Sequence, residues 1–297
     1  MAQLKIGGAE ISRAVESETP MLSPFEIFPD FTADVLETQT PWLKPPFYHF
    51  DVKLLTITIQ SFVIQLDGLT ILVDSCVGDR KKRERELFDD GAWDWLASLE
   101  RAGVKPEDVD MVVCSHLHVD HVGWNTRLSN SRWVPTFPNA RYLMSKRELA
   151  YWQSEAGRQA LQRTGDYVAD SVLPVLDSKQ ADLVDENHQL NEKIWFEHTP
   201  GHTPGHLAVH VADDGQELVL SGDVMHHPLQ LRYPDWSTLY CFDREQARAT
   251  RKSFLDRYAD SGKLIMPAHF PTPTAGHICR HGNHYGFHFH GADAPLV

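Results

Sequence analysis

Four short apolar runs along the chain lead into a histidine or an aspartate. Residues 110–114 (Asp-Met-Val-Val-Cys) lead into His116, and residues 194–196 (Ile-Trp-Phe) precede Thr199-Pro-Gly-His202. Residues 217–220 run into Ser221-Gly-Asp223, and residues 263–266 into Pro267-Ala-His269. Apolar runs of this length, bounded by Gly, Pro or Ser, read as buried strands. The pattern therefore predicts rigid strands whose ends aim polar side chains at one place.

Other elements follow from the same patterning. Residues 54–59 running into 61–66, then 69–73 after the Asp67-Gly68 turn, predict a hairpin. Trp93, Leu96 and Leu99, with Ala92, recur at helical spacing up to Gly103. Ser145-Lys-Arg-Glu148 opens a helix with a capping box, and Leu149, Tyr151 and Trp152 give it an apolar side. Asp243 caps a helix through Tyr258, striped by Ala247, Thr250, Phe254, Leu255 and Tyr258 and ended by Gly262. Phe287 and Phe289 alternating with His288 and His290 predict a last strand with one wet face. Residues 157–190 are mixed and polar and fit an inserted helical excursion over the site, with no element bounds placed there.

Residues 1–50 scatter Pro20, Pro24, Pro29, Pro41, Pro45 and Pro46 among Phe25, Ile27, Phe28, Phe31 and Trp42. That stretch is too apolar for a linker and too broken for long elements, so it reads as an arm packing on the core or on a partner subunit. Residues 51–297 read as one domain. Strands in two groups with helices between them favour an α/β (α+β) class, two packed mixed sheets flanked by helices in an αββα sandwich.

Composition narrows the function. A 42% hydrophobic content is ordinary for a globular core, and a formal charge of −13 repels phosphate backbones. The basic cluster from Arg80 to Arg85 is followed by Glu86, Asp89 and Asp90, so it reads as a solvated segment and nucleic acid is an unsuitable substrate. There is no run of eighteen apolar residues and no charged-then-apolar start, so the expectation is a cytoplasmic protein without a membrane role. Cys76, Cys114, Cys241 and Cys279 are far apart with no C-x-x-C pair, which reads as buried thiols in a reducing compartment.

The candidate chemistry lies in residues 116–121, His-Leu-His-Val-Asp-His. His116, His118, Asp120 and His121 put four N/O ligands within six residues, which a tight loop can turn inward. Seventeen histidines could supply a chance His-x-His. Asp-His directly after it, with His202, Asp223 and His269 at further strand ends, points to two metal ions instead. Imidazole and carboxylate suit zinc, iron, manganese or nickel, and no cysteine closes the set as in structural zinc sites. Ser115, Thr199, Thr203 and Asp74, near strand ends, are candidates to orient the imidazoles, against an ordinary loop role.

The H-x-H-x-D-H loop, the later G-H-T-P-G-H segment, the G-D turn and the final His resemble the metallo-β-lactamase superfamily over roughly residues 50–290. The layout is most similar to the branch holding methyl parathion hydrolase and the dinuclear N-acyl homoserine lactonases. The resemblance implies that His116, His118 and His202 hold one metal and Asp120, His121 and His269 the other. Asp223 would bridge them. It also implies a hydroxide shared by two divalent ions, zinc first and iron or manganese next, with Asp120 as the catalytic acid–base.

Lactonases of this kind tend to carry a Tyr three residues after the bridging Asp, where this chain has His226. His226 is then a candidate substrate contact, together with His277 and Tyr285. The expected activity is hydrolysis of a small uncharged ester-like molecule, a lactone first and an organophosphate triester as the alternative. A non-catalytic metal-binding scaffold is the reading from another class. A homodimer through the apolar arm is a further expectation.

Overall fold

The structure is a computed structural model describing residues 4–291, so the outermost ends of the expected arm and domain, 1–3 and 292–297, lie outside the described residues. In chain order the first strands are β1 (Leu4–Ile6), β2 (Ala9–Leu22), β3 (Tyr48–His49), β4 (Leu54–Leu66) and β5 (Leu69–Val73). Then come β6 (Met111–Val113), β7 (Thr126–Ser129), β8 (Arg132–Pro135), β9 (Arg141–Ser145) and β10 (Ala181–Val184). The remainder are β11 (Ile194–His198), β12 (Leu207–Asp213), β13 (Gln216–Gly222), β14 (Leu264–Pro267), β15 (Gly276–His281) and β16 (His284–Phe289).

Two compact units divide these elements. The first takes the chain up to residue 17 and residues 59–190; the second takes 18–58 and the chain from 191 onward. Strands β2 and β4 each pass from one unit into the other.

In the first unit the sheet runs β1-β2-β4-β5-β6-β9-β10, and β7 and β8 form a separate hairpin. From Leu55 to Ile64 the β4 strand is buried at every position, the polar Thr56, Thr58, Gln60 and Ser61 included. The parallel strands are in register: Val73 pairs with Val113, and Val113 with Leu143. Their carboxyl ends therefore lie side by side, delivering Asp74 and Ser115-His116 to one edge. Carboxyl ends of parallel strands are where α/β sheets bind ligands.

The second unit carries the sheet β11-β12-β13-β14-β15-β16, antiparallel except for the β13–β14 pair. A register shift between Leu220 and Gly222 leaves Ser221 out of the ladder. The Ala268 N–H then donates to Gly222 O at 3.2 Å, setting Asp223 and His269 next to each other. Helix Arg244–Tyr258 buries Ala247, Phe254, Leu255 and Tyr258, the stripe its sequence predicts, except that Thr250 is only partly buried and donates to Pro200 O at 2.6 Å.

Mixed sheets with accompanying helices are the class the patterning predicts, and most elements fall where expected. Three differ. The strand β2 is 14 residues long, within a stretch expected to hold no long element. Its Pro20 sits near the carboxyl end, and before it Ala9 and Ile11, then after a one-residue slip Ala14 and Glu16, are buried. The helix expected from Ala92 begins at Trp95, because Asp94 takes a left-handed φ of 54°. The polar region 157–190 holds three short helices, Glu155–Leu161, Tyr167–Ser171 and Leu173–Asp177, too short for a periodic signal.

Candidate metal-binding residues

In the first unit the expected metal loop is loop only in its first half. His118 caps one helical turn, Val119–Val122, which carries Asp120 and His121. Asp74, at the end of β5, organises the loop. Its Oδ1 accepts the Ser115 N–H at 2.7 Å and its Oδ2 accepts the Ser115 hydroxyl at 2.8 Å. The His121 Nδ1 lies 2.8 Å from the same Oδ2. A carboxylate only accepts, so the His121 proton sits on Nδ1 and Nε2 is the nitrogen with a lone pair to offer.

The same bookkeeping fixes His116. The Ser115 hydroxyl gives its proton to Asp74, so the contact of 3.0 Å between Ser115 Oγ and His116 Nδ1 requires the proton on Nδ1. The His116 Nε2 is then an acceptor, and it faces His118 Nδ1 at 3.0 Å. Ser115 and Asp74 thus do what the sequence assigns them.

Glu148 is a residue the sequence reading misses. Ser145 caps its helix as predicted, accepting the Glu148 N–H at 3.2 Å. The buried Glu148 carboxylate instead accepts the Leu117 N–H, between His116 and His118, at 3.0 Å, and Trp152 Nε1–H at 2.7 Å. The capping-box pattern signals a local bond and hides this distant one.

In the second unit three imidazoles surround one carboxylate. Asp223 has His202 Nε2 at 3.1 Å, His226 Nε2 at 3.3 Å and His269 Nε2 at 3.1 Å. His269 donates from Nδ1 to Thr58 O at 2.8 Å, so its Nε2 lone pair points at the carboxylate. Two acceptors facing each other repel unless a proton or a cation lies between them. Burial holds the His226 imidazole below its usual pKa, which works against an added proton there. This donor set therefore fits a divalent cation.

His206 is the second residue missed, although it closes the G-H-T-P-G-H segment. It accepts the Asp223 N–H on Nε2 at 2.9 Å and donates from Nδ1 to Thr199 Oγ1 at 2.7 Å. His206→Ala leaves a buried N–H without its acceptor and a hydroxyl without its donor. The expected result is a loss of divalent-metal affinity of about 10- to 100-fold, the size typical when a residue orienting a metal ligand is removed, measured by competition with a chromophoric chelator.

His202 is aimed by backbone. Its carbonyl accepts the Phe242 N–H at 2.8 Å, and Gly201 O accepts the Asp243 N–H at 2.9 Å. A Cβ on Gly201 would lie 2.2 Å from Ala247 N, so only glycine allows that approach to the helix Arg244–Tyr258.

Of the substrate-contact candidates, only His226 joins this group. His277 shares Nδ1 with Lys263 O at 3.0 Å, before the start of β14, and the Tyr285 hydroxyl donates to Asp256 at 2.7 Å. Both side chains have partners away from Asp223. Neighbouring His227 is structural: burial pushes its pKa down to about 3, and it donates to Phe47 O at 3.2 Å. Thr203 is buried with a hydroxyl that finds no hydrogen-bond partner among the described residues.

The family profile described as the Metallo-beta-lactamase superfamily matches residues 57–269. An N-acyl homoserine lactonase of Bacillus cereus is 25% identical over 180 residues, which is 57% of this chain and 64% of the relative. The match thus spans under two thirds of that curated relative's length. Among solved structures, the hydrolase AbOPH of the beta lactamase superfamily aligns with a TM-score of 0.82 at 23% identity, over 98% of both chains. AidC, a dizinc quorum-quenching lactonase, aligns with a TM-score of 0.81 at 21% identity, again over 98% of both. These likenesses over nearly the whole chain agree with the αββα sandwich class expected from the strand and helix pattern.

Proposed function

This chain belongs to the metallo-β-lactamase superfamily, and from that premise we propose that it is a dinuclear metal-dependent hydrolase of small uncharged esters, lactones first. His116, His118, His202 and Asp223 would hold one ion, and Asp120, His121 and His269 the other. Zinc is our first choice of ion, supported by the dizinc lactonase among the structural neighbours. The observation that carries the reading is the set of lone pairs that Asp74, Ser115 and Thr58 direct away from themselves, on His121, His116 and His269.

When bound, two divalent ions lower the pKa of a shared water toward neutrality and polarise the substrate's reacting oxygen. The chain's own residues do the rest. Asp74 and His206 keep the imidazoles and Asp223 in one orientation. Asp120, about one-fifth exposed at its side chain, takes the water's proton on a carboxylate oxygen and returns it to the leaving oxygen. Lactone substrates are supported by the curated relative named as a lactonase. The four cysteines, all free, suit a cytoplasmic setting.

The test is elemental analysis of purified protein with turnover measured on acyl homoserine lactones and paraoxon-like triesters. Two ions per chain, activity abolished by chelation and restored by zinc, and the highest kcat/KM on a lactone are the expected results. Preference for triesters would replace the substrate class. Full metal with no turnover on any ester would favour the scaffold reading.

A further inference from the structure

Glu16 sits in β2, in the segment the sequence presents as the start of a packing arm, and its side chain is buried in the first unit. One carboxylate oxygen accepts the Val77 N–H at 2.8 Å. The other accepts the Gly78 N–H at 3.1 Å and the Trp124 indole N–H at 2.9 Å. Burial pushes the Glu16 carboxyl up to about 8, and these three donors oppose that rise.

The two segments that Glu16 ties are joined to the metal loop by backbone. Ser75 N–H donates to His121 O at 2.7 Å, Gly123 N–H to Cys76 O at 2.7 Å and Trp124 N–H to Ser75 O at 2.7 Å. The approach is so close that a Cβ on Gly123 would fall 1.8 Å from Val77 O. The helical turn bearing Asp120 and His121 therefore rests on residues 75–78, and those residues rest on Glu16.

We propose that Glu16 is a positioning residue for the metal loop, holding residues 75–78 and Trp124 so that Asp120 and His121 present their ligand atoms together. The inference rests on the dinuclear reading above. It gives a reason for an acidic side chain, costly to bury, at this position of β2.

The test titrates Zn2+ into chelator-stripped full-length protein, in competition with a chromophoric chelator, for wild type, Glu16→Gln, Glu16→Ala and Ile11→Ala. Ile11 is another buried residue of the same strand, and its aliphatic side chain makes no hydrogen bond, so its alanine variant lowers stability without removing a hydrogen bond to residues 75–78. Both alanine variants should lower Tm. Zinc affinity should fall at least about 10-fold in Glu16→Gln and Glu16→Ala and stay within about twofold of wild type in Ile11→Ala, as outer residues of metal sites behave. Should Glu16→Ala fail to fold, Glu16→Gln carries the comparison. Wild-type affinity in the glutamine variant, or an equal loss in Ile11→Ala, overturns the proposal. A wild-type protein that takes up no zinc instead sinks the dinuclear reading itself.

Discussion

Asp223→Ala should purify with less than one ion per chain and show no turnover that added zinc restores. In the second unit this carboxylate lies among three imidazoles at 3.1 to 3.3 Å, and a divalent ion there needs its charge balanced. Removing it leaves neutral nitrogens alone to hold the cation. The loss of affinity should exceed the roughly 10- to 100-fold typical of residues that only orient a ligand. Two measurements check this: elemental analysis, and the rise of Tm with zinc. A ligand that binds only the folded state raises stability in proportion to the logarithm of its concentration over Kd, so wild type should show a zinc-dependent Tm and the variant a flat one. Full occupancy in Asp223→Ala would remove this aspartate from the ligand set.

Four of the seven candidate ligands are legible in the sequence because each follows a short apolar run that reads as a buried strand, and His118, Asp120 and His121 because they crowd within five positions of the first. His116, His202, Asp223 and His269 all follow this rule. What holds them was less legible. Asp74 and Ser115 were found since they too sit at strand ends. His206 leaves no such signal although it closes a legible motif, because its partner, the Asp223 N–H, is 17 positions away. Glu148 has the spacing of a local cap, whereas its bond to the Leu117 N–H spans 31 positions. Glu16 is 61 positions from Val77 and 108 from Trp124. Hydrophobic periodicity encodes which face of an element is buried, whereas a side chain's distant hydrogen bond depends on sheet register, which no local pattern carries.

The proline-rich start shows the same limit on the fold. Prolines mark breaks wherever they fall, and six of them in fifty residues suggest none but short elements. Yet Ala9 and Ile11, then Ala14 and Glu16, are buried ahead of Pro20, in a strand that pairs with β1 just before it and with β4 further on. The later prolines accompany two short helices, Pro24–Ile27 and Ala33–Gln39, and the turns after them.

Asp120→Asn should separate metal binding from proton transfer. Asparagine keeps the shape and one acceptor oxygen but cannot take a proton at neutral pH, and lost general acid–base assistance typically costs about 10²- to 10⁴-fold in rate. The cost should depend on what leaves. A nitrophenolate departs without a proton, so nitrophenyl esters should lose least. A lactone's alkoxide must be protonated as the C–O bond breaks, so lactones should lose most. Measured at saturating zinc, kcat for the two substrate types in Asp120→Asn and wild type gives the ratio directly. A penalty equal for both leaving groups would mean that Asp120 serves only to hold its ion, and proton delivery would then have to be assigned to another group.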